Sequence, residues 1–95
     1  MYKKVKIKID AKDSNYIERL QFEYNASLNI IAFLMTKTDI NEEYLQRYLD
    51  VAELRYTELE MAKAAVTTNY KPVDIPENYH YSFDFNTEEI LYWVE

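Results

Sequence analysis

None of the 95 residues is glycine, and that absence constrains the chain more than any residue it contains. A turn that needs a positive φ must use another residue, for which Asn and Asp are the least costly. Loops that cradle phosphate through bare backbone lose their usual material. The Walker A loop and the dinucleotide-binding fingerprint, which need glycines at fixed positions, are excluded outright.

The pattern of apolar residues defines the elements. Around residues 2–10, Val5, Ile7 and Ile9 alternate with Lys4, Lys6 and Lys8, the period of two that predicts a half-buried strand. Asp13 and Ser14 offer N-cap oxygens for a helix over about 14–36. Its seam is Ile17, Leu20, Tyr24, Leu28 or Ser27, Ile31 and Met35. Phe22, Ala26, Ile30, Phe33 and Leu34 widen that seam, so the second half of the helix is expected to be covered on more than one side. After the connection Thr36-Lys37-Thr38-Asp39, Asp39 and Glu42 have capping-box spacing for a second helix over about 40–68. Leu45, Leu49, Ala52, Tyr56, Leu59, Lys63 and Val66 form its seam, with Lys63 the one polar break. A short link between two long helices makes them antiparallel neighbours.

Pro72 and Pro76 keep the next stretch extended. Residues 79–94 then read as a β-hairpin with a four-residue turn at Asn86-Thr87-Glu88-Glu89. A lone hairpin is marginal, so the first strand is expected to pair with the last. The fold class is therefore α+β, a single domain in which an antiparallel two-helix hairpin packs with a small antiparallel sheet in the order β-α-α-β-β. Helices of this length are longer than a 95-residue core requires. Their far ends must pack on something else.

Charge is uneven. The net charge is −6, yet residues 1–12 hold five lysines and one aspartate, and no Lys or Arg follows Pro72. One reading sets the lysine face of the first strand beside the acidic hairpin. The other has the acidic, aromatic hairpin dock on a basic protein surface, with Tyr79, Tyr81, Asp84, Glu88, Glu89, Tyr92 and Trp93 as candidate partner-binding residues. Tyr92 and Trp93 are consecutive, so one serves the core and the other faces outward.

Catalytic equipment is not legible. With no cysteine, disulfides, thiolate catalysis and Cys-ligated metals are excluded. The single histidine, His80, has Ser82 as its same-face neighbour but no glycine elbow or oxyanion loop. Glu77 and His80 have Glu-x-x-His spacing, but once only and ahead of a strand. The expectation is no enzyme, no metal and no cofactor. The acidic balance weighs against nucleic acid, and the longest apolar stretch, near residues 26–35, is about half a membrane span. No signal-peptide pattern is seen at the start, and a cytoplasmic location is expected. These features favour a small acidic protein-interaction module, as adaptor, assembly factor or inhibitor, that binds another protein or a second copy through its helices. The alternative is a small-molecule or nucleotide-sequestering protein using Arg19, Arg47 and Arg55.

Overall fold

A computed structural model describes residues 3–37 and 39–95. Residue 2 of the expected strand and residue 38 of the expected connection lie outside them. The chain runs β1 (Lys3–Lys8), α1 (Ala11–Leu34), α2 (Glu42–Tyr70), β2 (His80–Asp84) and β3 (Glu89–Val94), the α+β order read from the apolar pattern. β3 is the central strand, antiparallel to β1 on one side and β2 on the other. The register aligns Val5, Tyr92 and Tyr81 in one row and Ile7, Ile90 and Phe83 in the next. These rows face the helices and join Ile9, Ile17, Leu20, Leu59, Val66 and Ile75 in one core.

Both helices start at caps other than those expected. α1 begins three residues early because Asp10, in extended backbone, accepts from the Lys12 amide at 2.8 Å. Asp13 is then inside the first turn, where it receives the Tyr70 hydroxyl at 2.7 Å, while the Asp10 amide donates to that same hydroxyl oxygen at 3.1 Å. The start of α1 is thus tied to the end of α2. α2 is capped by Asn41, whose side chain accepts from the amides of Glu43 and Tyr44, so Asp39 stands outside the helix. α2 continues to Tyr70 and stops where Lys71, preceding Pro72, takes extended backbone.

The hairpin turn also differs from expectation. It occupies residues 85–88, and Glu89 already belongs to β3. The residue with positive φ is Glu88, at 56°, not an Asn or Asp. Its neighbours hold it there. Asp84 accepts from the amides of Asn86 and Thr87, Ile9 donates its amide to the Glu88 carbonyl at 2.9 Å, and Lys8 faces the Glu88 carboxylate at 3.7 Å.

Candidate functional site

The helices outrun the sheet. At 1.5 Å per residue α2 is about 43 Å long, whereas strands of five or six residues span roughly 17–20 Å. The core takes α1 residues only as far as Tyr24 and α2 residues only from Leu59 onward. The other half, towards residues 34–42, is a bare two-helix arm, and the molecule measures 54 × 28 × 18 Å.

Within this arm the helices meet through Ser27, Ile31 and Ala52. Most other apolar side chains are open. Met35 is 68% exposed, Phe33 60% and Leu54 60%, with Leu28, Ile30, Tyr44, Leu49, Val51 and Tyr56 also exposed; beside the core, Phe22 (72%) and Met61 (69%) are open as well. The expectation that the second half of α1 is covered on several sides fails for this chain alone. Phe22, Ile30 and Phe33 all stay exposed, and only the Lys37 ammonium, 4.4 Å from the ring centre, lies over Phe33 among the described residues.

The exposed residues divide between two faces. Tyr92 and Tyr79 hydrogen-bond to Thr67 of α2, and burial, followed by the proximity of Glu60, Tyr79 and Tyr56, holds the Tyr81 phenol above its ordinary pKa. Tyr56, Glu60 and Thr67 therefore mark the sheet side of α2. Leu54, Glu58 and Ala65 each precede one of them by two residues, about 200° around a helix turning 100° per residue. They lie on the back, away from the sheet. Tyr44, Val51 and Met61 share that back face by three- and four-residue spacing. There the Glu23 carboxylate bridges the helices, 2.7 Å from Arg55 and 3.8 Å from Arg19.

The seven residues singled out from the sequence do not share one surface. Tyr92 is fully buried, and Tyr79 packs against it edge to face, with Tyr81 beside Tyr79. Trp93 takes the opposite face, stacked on His80 at 5.6 Å, as the alternation of consecutive residues requires. Asp84 and Glu89 occupy that open face too, with Glu89 between Lys8 on one side and Asp84 on the other; Glu88 sits in the turn. The open sheet face is thus a grid whose rows are Lys4–Trp93–His80, Lys6–Leu91–Ser82 and Lys8–Glu89–Asp84. Its charges are arranged so that the lysine strand borders the acidic hairpin. Lys3, on β1, also pairs with Asp74, whose carboxyl it holds below the ordinary range.

Other polar groups do not converge. Arg19 bonds Glu23 and lies over Tyr16, Arg55 bonds Glu23, and Arg47 bonds Glu43 at 3.6 Å. The depression at Lys12, Asp13, Asn15, Tyr16 and Arg19 is lined by α1 alone, so no second wall encloses a ligand. Among the described residues no group of three His, Asp or Glu side chains is placed to hold a metal ion, and no helix is long and apolar enough to cross a membrane.

Compared with known proteins, the chain matches no family model, and no curated protein or solved structure shows significant similarity to it.

Proposed function

We propose that this chain is a non-enzymatic protein-interaction module whose working element is the protruding half of its helix pair, and that it associates with a second copy of itself. The observation that carries the reading is the bare arm, where Phe33, Met35 and Leu54 are mostly exposed in the half of the helix pair that the core does not reach. Large apolar side chains left open together on one element favour an interaction role for it. Packing two helical hairpins into a four-helix bundle is an economical way to cover it. An adaptor, assembly factor or inhibitor fits such a body, with the compact sheet end left free at each extremity.

Sedimentation velocity over about 1–100 µM tests this, because an association seated on the arm depends on protein concentration. Twice the mass of one chain, reverting to one chain on dilution or on substitution of Leu54 by Glu, is the expected result. A single chain at the highest concentration overturns self-association.

A further inference from the structure

α2 carries two heptad seams offset by one residue. The inner one, Leu45, Ala52, Leu59 and Val66, is buried or half-buried against the rest of the chain. The outer one begins with Ile40, just ahead of α2, and continues through Tyr44, Arg47, Val51, Leu54, Glu58, Met61 and Ala65, spaced alternately by four and three residues. From Tyr44 onward every member is exposed. A sustained alternation of this kind is the pattern by which helices pair as coiled coils. Among the described residues, the side chains of the outer seam make polar and ring contacts only within α2, from Tyr44 to Tyr48 and from Arg47 to Glu43.

The spacing of the outer seam reads the same in both directions. About a two-fold axis midway between Val51 and Leu54, an antiparallel copy of α2 sets Val51 against Leu54 and Tyr44 against Met61. The only two charged members, Arg47 and Glu58, then fall opposite each other, and the axis generates that pair twice. A parallel pairing would instead set Arg47 on Arg47 and Glu58 on Glu58. Arg47 is held only by an exposed contact to Glu43 four residues earlier, a pair of small worth, and Glu58 has no ion-pair partner among the described residues.

Sterics and area agree. The seam lies about 200° from the residues that touch the sheet, so both sheets stay clear of the junction. Paired over residues 42–63, the helices overlap by about 33 Å. Half-exposed large side chains at four seam positions supply on the order of 400 Å² per copy, about half of a standard interface's share. The stems of Arg47 and Glu58 and the flanking helix faces add to it.

We infer that the chain forms a closed antiparallel dimer through the outer seam of α2, with Arg47 of each copy paired to Glu58 of the other. This rests on the self-association proposed above and adds its face, direction and register. Because the chain has no cysteine, engineered thiols report the geometry cleanly. Val51→Cys mixed with Leu54→Cys should oxidise to the mixed disulfide in preference to either homodimer, since only facing positions come within bridging distance.

In parallel, Arg47→Glu and Glu58→Arg should each weaken the dimer about tenfold or more, and the double exchange should restore it to within about threefold of wild type. Both side chains are exposed, and circular dichroism verifies that each variant keeps its helices. A monomeric wild type overturns this inference and the self-association together. A dimer that resists both single exchanges, or that crosslinks Val51→Cys to itself, overturns the seam and its register while leaving self-association standing.

Discussion

The hydroxyl of Tyr92 donates to the main-chain carbonyl of Thr67 at 2.6 Å, joining the central strand to the last turn of α2. Thr67 is among the four residues whose carbonyls the end of a helix leaves without an intrahelical partner. Because both residues are almost wholly buried, water cannot take the place of the phenol. Tyr92→Phe keeps the ring and removes only the donor. It should cost about 1–3 kcal/mol, seen in urea unfolding as a lower midpoint with an unchanged slope.

The same phenol makes the fold sensitive to alkali. Burial, and then the neighbouring Tyr79, push the Tyr92 pKa well above its ordinary value, and burial raises Tyr81 as well. In the unfolded chain both ionise near pH 10. The folded state therefore holds protons that the unfolded state has lost, and stability is fully present below about pH 10 and falls as pH rises beyond it. Urea midpoints measured from about pH 8 to 11 should stay level and then decline. Tyr92→Phe should flatten the decline, since one of the perturbed phenols is gone.

Much of the architecture is legible in the sequence because it depends on periodicity. Alternation in Lys4–Ile9 fixes which side of β1 faces the core, and the seven-residue spacing of Ala52, Leu59 and Val66 fixes the inner face of α2. Even the division of Tyr92 and Trp93 between two faces follows from adjacency. The helix starts do not, because several acceptors stand in a row. Asp10, Asp13 and Ser14 are all able to cap α1, and the selection involves the Tyr70 hydroxyl, 60 residues from Asp10, which engages both Asp10 and Asp13. The exposed arm is the harder miss. Counting apolar residues treats each as covered, so Phe22 and Phe33 read as extra core. The outer seam at Tyr44, Val51, Leu54 and Met61 was hidden one residue behind the stronger inner one.

Two leucines five residues apart on α2 should separate folding from association. Leu59 is almost wholly buried in the core and Leu54 is mostly exposed on the arm. Leu59→Ala should destabilise the fold by about 2–5 kcal/mol, the range for truncating a core leucine. Leu54→Ala should change it by less than about 0.5 kcal/mol, when thermal unfolding is measured at a concentration where the wild type sediments as a single chain. Equal losses would contradict the burial difference.

The cap of α2 gives a second paired comparison. Asn41 accepts from two amides at the helix start, while Asp39 lies two residues before it. Asn41→Ala should cost about 0.5–2 kcal/mol, read from chemical unfolding. Asp39→Ala should leave stability nearly unchanged, which would place the cap at 41 and not at 39.

The turn between β2 and β3 tests what a glycine-free chain forgoes. Glu88 holds a φ of 56°, where a Cβ crowds the following carbonyl at about 1–2 kcal/mol. Its side chain returns only a 3.7 Å contact to a largely exposed Lys8, which contributes no more than about 1 kcal/mol. Its main-chain carbonyl, which accepts from Ile9, is kept by any substitution. Glu88→Gly therefore removes the steric cost and keeps the link to the end of β1, and it should raise stability by about 0.5–1 kcal/mol despite the looser unfolded chain. Glu88→Ala, which keeps the Cβ and loses the ion pair, should do the opposite. A rise in melting temperature for the glycine variant alone would identify backbone strain at residue 88, and not charge, as the quantity relieved.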